Sequence, residues 1–186
     1  GRWRMPDRDY NSSLAALERT QDRPAFRVLW VGDAELLPVN AWRFDADLSY
    51  ATTERGVPTL LDRLRGGPPG ATPLLADSLH LAQDRRTNRL GHLLAPMGVR
   101  YLVLPSQLSP AGAKAVDASG DDARAASRAL AAVLSQQLDL EEVPVRGGLV
   151  VYRNTAWVSS RAVLPHRDGD RTSYTQAVGD DLASGK

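Results

Sequence analysis

The residues between Asp33 and Asp45 include the side chains best suited to bind something: Asp33, Asn40, Trp42, Arg43 and Asp45. Asp33 follows Gly32 at the end of "VLWVGD". A strand closing in Gly-Asp is where nucleotide sites begin in α/β sheets. The G-x-G-x-x-G fingerprint, however, wants three glycines for turn, pyrophosphate approach and helix packing, and here only Gly32 is present. The residues read as a strand-end turn, with Asp33 capping the segment after it. "FDADL" holds Asp45-Ala46-Asp47, the D-x-D spacing with which sugar-nucleotide transferases grip a divalent cation, because hard cations prefer carboxylate oxygens. "HRDGDR" repeats that spacing at Asp168 and Asp170. Such pairs arise cheaply among 22 acidic residues, and a nucleotide-sugar domain needs more chain upstream than Asp45 has. No metal and no cofactor is assigned.

Trp42, between Asn40 and Arg43, is the best of the tryptophans as a stacking platform for a sugar ring. Trp30 and Trp157 offer the same flat face, but a tryptophan inside an apolar strand is core. "NSS" at Asn11 matches a glycosylation sequon, which matters only in a eukaryotic secretory setting.

Other chemistries lack their residues. The chain has no cysteine, which removes disulfides, thiolate zinc sites and a cysteine nucleophile together. No G-x-S-x-G elbow supports a serine nucleophile. His80, His92 and His166 show no H-x-x-x-H or H-E-x-x-H spacing and read as solvated side chains. No catalytic residue is assigned.

Those candidates need elements to hold them. "FRVLWV" (Phe26 to Val31) and "VRYLVL" (Val99 to Leu104) carry apolar residues on both faces, as strands covered on both sides do, and both are expected centrally in one sheet. The second comes after a tight turn, "APMG", in which Pro96 pre-sets one dihedral and Gly98 accepts a geometry that side chains resist. Within the strand Arg100 must reach an edge, snorkel or find a carboxylate. Ser12 or Ser13 caps a helix through "LAALERT". "LLPVNAWRFDADLSYATT" reads as loop-rich, "PTLLDRL" as a short helix, and "GGPPG" as a breaker.

Helical spacing continues in "ATPLLADSLHLAQ", with Leu74, Leu75, Leu79 and Leu81 on one face, and in "TNRLGHLL", with Leu90, Leu93 and Leu94. "ARAASRALAAVLSQQL" places Ala126, Leu130, Val133, Leu134 and Leu138 on an amphipathic face. "LEEVPVRGGLVVYRN" is a hairpin near 139–153, turning at Gly147-Gly148. Pro144 puts its first strand at an edge. "SSRAVLP" adds a last short strand. The resulting expectation is an α/β fold: a mixed sheet with central strands near 26–31 and 99–104, flanking helices and that C-terminal hairpin. Residues 1–23 form a lead-in with its helix, 24–165 a single domain and 166–186 a polar, flexible tail.

Composition sets the class. With 42% hydrophobic and 24% charged residues, the chain is globular in its balance and can bury a core. A net charge of +1 with interleaved signs carries no footprint for nucleic acid or a polybasic membrane patch. No apolar run approaches the about 18 residues of a spanning helix, and "GRWRMPDRDY" lacks a signal-peptide core. The sequence reads as a soluble fragment excised from a longer chain.

The order "FRVLWVGDAELLP … LSYATT … LLADSLHLA … TNRLGHLLAPMGVRYLVLP … LDLEEVPVRGGLVVYRNTAW" resembles a known region. It is similar to the extracytoplasmic part near the C-terminal end of large actinobacterial multi-pass membrane proteins, the family-two glycosyltransferases. It is also similar to the corresponding region of YfhO-like membrane proteins, where "GVRYLVLP" and "GLVVYRN" have close counterparts. The resemblance runs from Phe26 to Pro165, and the Arg- and Ala-rich composition suits a high-GC actinobacterium.

It implies a noncatalytic domain on the extracytoplasmic face of the plasma membrane, tethered through its parent and positioning a glycan acceptor or a partner in cell-envelope glycan synthesis. The membrane-spanning part of the parent and an envelope glycan are the implied partners. The parent's catalytic module lies elsewhere, and no catalytic residue carries over. Two other readings stay open. One is a free-standing enzyme on a Rossmann-like sheet, using Asp33 and Asp45 with a nucleotide or sugar nucleotide. The other is a structural interaction module with an apolar patch at Trp42 or Trp157.

Overall fold

A computed structural model of the chain describes Leu14 and residues 26–34, 36–54, 58, 72–105, 121–145 and 148–158. Six strands form one mixed sheet: β1 (Arg27–Gly32), β2 (Trp42–Arg43), β3 (Ser49–Glu54), β4 (Val99–Pro105), β5 (Leu140–Val143) and β6 (Leu149–Asn154). Their order across the sheet is β2-β3-β1-β4-β6-β5. β1 and β4 lie side by side at the centre and run parallel, and the remaining neighbours pair antiparallel. The α/β expectation and both central strands are therefore observed. With one parallel pair, the sheet departs from the all-parallel doubly wound architecture of dinucleotide-binding folds.

The two-sided apolar reading of β1 and β4 is also how they pack. Leu29 and Val31 turn to one face, where they meet Leu75, Leu79 and Ala82 of α1 (Thr72–Gln83), Leu90 and Leu94 of α2 (Leu90–Leu94), and Leu130 and Leu134 of α3 (Asp121–Leu134). Val28 and Trp30 turn to the other, with Leu14, Leu37, Val39, Tyr101, Val103 and Val151. Trp30 is fully buried and donates its Nε1–H to Thr53 Oγ1 at 3.0 Å. Each such leucine or valine contributes on the order of 1.5–3 kcal/mol by leaving water. The turn before β4 is a short 3₁₀ segment, Ala95–Met97, closed by Gly98 in the left-handed conformation (φ 75°) with its N–H donated to Ala95 O at 2.9 Å.

Several local expectations are corrected. β3 falls in the stretch read as loop: Ser49, Tyr50, Ala51 and Thr53 are buried, and the strand pairs with β1 over all six residues, Arg27 with Glu54 through Gly32 with Ser49. Small and hydroxylated side chains hide its pattern, although β-branched threonine suits a pleated surface. In α1 the inward row is Leu75, Leu79 and Ala82, so Leu74 is 60% exposed. In α2 the inward pair is Leu90 and Leu94, leaving Leu93 38% exposed. α3 ends at Leu134, so Leu138 lies in the turn beyond it and is 69% exposed. The hairpin is β5 and β6, with Leu140 opposite Asn154 and Val143 opposite Val151. β5 is an edge strand that ends just before Pro144, as expected. The helices near "LAALERT" (apart from the buried Leu14) and "PTLLDRL", the strand in "SSRAVLP", and Asn11, His166, Asp168 and Asp170 fall outside the described residues.

Candidate functional site

The sheet register decides which candidates meet. Gly32 pairs with Ser49, and Ser49 pairs with Arg43. The carboxyl end of β1 therefore lies level with the turn that joins β2 to β3. Asp33, Arg43 and Asp45 are brought to this one end of the sheet. Trp42, opposite Tyr50, sits one row in along the edge strand, not in a loop as the sequence suggests.

Alternation along β2 then divides them. Trp42 packs partly on the helix-covered core, so Arg43, its neighbour along the strand, points to the opposite side of the sheet and is exposed. Asp33 is 7% exposed, and its carbonyl accepts the Leu36 N–H at 2.9 Å. It is a buried strand-end residue rather than a surface ligand. Asn40 is exposed on the approach to β2.

What remains at the edge is an aromatic row with a polar tip. Trp42 and Tyr50 have centroids 5.7 Å apart, Phe44 and Tyr50 5.9 Å, and Phe44 and His80 5.5 Å. His80 is not merely solvated: its Nε2–H donates to the Phe44 carbonyl at 2.6 Å and ties α1 to the turn. Asp45 Oδ1 accepts the Ala46 N–H at 2.7 Å, and Oδ2 accepts Gln83 Nε2–H at 2.9 Å. These bonds, the backbone one foremost, with the nearby His80 adding, hold the carboxyl below its ordinary range despite slight desolvation. The result is a half-exposed indole on the edge strand and, in the turn after it, a carboxylate fixed in orientation and charge. Burial raises the pKa of the Tyr50 phenol, and Asp77 adds to this.

A second polar cluster has no counterpart in the sequence reading. α2 has only five residues, and its leading N–H groups are capped from afar: Leu90 N–H by Gln137 Oε1 at 3.0 Å, Gly91 N–H by Asp139 Oδ1 at 2.9 Å, and His92 N–H by Asp139 Oδ2 at 2.8 Å. His92 Nδ1 meets the same Oδ2 at 2.7 Å. Asn154 donates to Gly91 O and Val99 O, each at 2.9 Å, and the Asp139 carbonyl accepts the Thr155 N–H at 2.9 Å. Gln137, Asp139 and Asn154 are 6%, 5% and 3% exposed. They serve as the bolts between α2, the hairpin and β4, because a buried helix end needs such partners. The one signal for them in the sequence is a set of short polar side chains interrupting apolar runs.

Among the described residues no three His, Asp or Glu side chains gather as metal ligands, and no helix is long and apolar enough to cross a membrane. Compared with protein-family models, curated proteins and solved structures, the chain matches none.

Proposed function

We propose that this chain is a noncatalytic extracytoplasmic domain of a membrane-embedded glycosyltransferase of cell-envelope glycan synthesis, and that its β2 edge positions the acceptor glycan. The observations that carry the site are the half-buried Trp42 ring on the edge strand β2 and the oriented carboxylate of Asp45 in the turn that follows that strand. Sugar rings stack their C–H faces on indole, and carboxylates accept from pairs of ring hydroxyls. The link to a glycosyltransferase rests on the sequence resemblance of Phe26 to Pro165. The buried polar residues support the noncatalytic part of the reading: Asn154 and Gln137 bond backbone groups of the fold, and Asp139 caps the backbone of α2 while also holding the His92 ring. The membrane-spanning part of the parent is the second partner.

The test is titration with arabinan, mannan and galactan oligosaccharides, and separately with the parent's membrane portion. Binding to a glycan that Trp42→Ala removes supports the reading. A response to neither glycan nor membrane portion defeats it.

A further inference from the structure

Arg100 interrupts the sheet. β1 meets β4 first at Arg27 with Val99 and next at Val28 with Tyr101, so Arg100 is the extra residue of a β-bulge. On the other side the pairing with β6 runs from Tyr101 onward. Val99 joins the core under the helices, whereas Tyr101, two residues on, joins the cluster on the opposite face. In a regular strand the two would share a face. A bulge re-aims a side chain, and here it aims a guanidinium.

Three rings receive it. The Arg100 guanidinium carbon lies 4.6 Å from the Trp157 ring centroid and 5.4 Å from those of Phe26 and Tyr101. These rings come from the residue before β1, from β4 itself and from the turn beyond β6. Trp157 is held in turn by its Nε1–H, donated to Gly98 O at 3.1 Å. Aromatic faces attract the cation and fix its plane, but they leave its five N–H donors to be used in that plane. Among the described residues no carboxylate or carbonyl accepts from them. The neighbouring cations differ: Arg27 donates to Met97 O at 3.1 Å, and Arg153 pairs with Glu141 at 2.5 Å. Rings thus stand where a carboxylate partner for Arg100 is expected, and its planar fork is left for something else.

We propose that Arg100 is an anion-binding residue whose ring-held, partly buried guanidinium takes a small ligand through two oxygens of a carboxylate or phosphate group. Guanidinium suits this because its fork matches such oxygens in one plane, and partial removal from water strengthens the attraction. The site lies at the amino end of β4. Asp33 and Asp45 lie at the carboxyl end of the parallel β1, so the two sites are at opposite ends of the sheet and fail or succeed independently.

The experiment monitors the Trp157 indole and Arg100 Nε–H resonances while the chain is titrated with sodium phosphate and sodium glucuronate, with glucose and matched sodium chloride as controls. Saturable shifts with either anion, absent with both controls and lost in Arg100→Lys, are expected. Lysine keeps the charge without the planar fork, and an unchanged Tm shows that the variant folds. The saturating anion tells phosphate from carboxylate. Shifts no larger than those with chloride, or saturable binding that persists in a folded Arg100→Lys, would overturn the proposal. Should the variant not fold, the comparison of anions with chloride on the unaltered chain decides alone.

Discussion

A Cβ placed on Gly91 would press on Asn154 Oδ1 and stand 2.7 Å from Asp139 Cγ and 3.0 Å from the Asp139 carbonyl oxygen. All three atoms belong to the cluster that caps α2, so they cannot yield without breaking hydrogen bonds. Gly91→Ala should therefore cost about 1–3 kcal/mol, read as a lower urea midpoint; an unchanged midpoint would mean the cluster gives way freely. Asp45 makes a smaller claim. Its folded pKa is depressed, so its contribution to stability is present above the ordinary carboxylate value and is lost as pH falls through the lowered one. Asp45→Asn should lower stability at neutral pH by less than about 1 kcal/mol, because the group is solvent-screened, and the gap should close in strong acid. Little of this residue-scale detail is legible in the sequence. Asp139 and Asn154 act on partners 48 and 63 residues away, and no local pattern encodes such a distance. Trp42, by contrast, stands out because an indole among polar neighbours is conspicuous in any conformation.

Helices and strands differ in how plainly they declare themselves. β1 and β4 are unmistakable because they are apolar on both faces, whereas β3 buries a single aromatic, Tyr50, among serine, alanine and threonine, a mixture that makes a weak hydrophobic pattern. Helical spacing draws the apolar faces one residue too wide, since several leucines can share an arc while only the innermost row meets the sheet. A pair of substitutions measures that difference. Leu79→Ala, at a fully buried site, should cost about 2–5 kcal/mol, whereas Leu74→Ala, at a site 60% exposed, should change stability by less than about 0.5 kcal/mol. Equal losses in chemical denaturation would contradict the packing of α1.

β6 is tied to α3 by Tyr152, whose hydroxyl donates to Ala131 O at 3.2 Å. Burial, with Glu142 adding, raises its pKa. Stability is then intact below the ordinary phenol value of about 10 and falls as pH rises from there through the folded value. Tyr152→Phe should flatten part of that alkaline decline in Tm, and a decline as steep as before would remove Tyr152 from the account.

At the scale of the whole molecule, the parallel pair β1 and β4 sets everything else. It places the carboxyl end of β1 beside the β2–β3 turn and the bulged Arg100 at the far end. The sequence carries β1, β4 and the β5–β6 hairpin but neither β2 and β3 nor the strand order: β3 inserts between β2 and β1, and β6 between β4 and β5. Hence the candidate residues can be named from the sequence while their division into buried Asp33, outward Arg43 and the Trp42–Asp45 edge cannot. The central claim is that this edge holds a glycan. The most direct measurement is an NMR titration of the chain with arabinan, mannan and galactan oligosaccharides, read at the Trp42 indole and at the amides of Asp45 and Gln83. Saturable shifts confined to that edge, lost in Trp42→Ala, are the expected result. Silence there with every glycan, or shifts near Asp33 only with a sugar nucleotide and Mn²⁺, would contradict it and favour the nucleotide-binding reading instead.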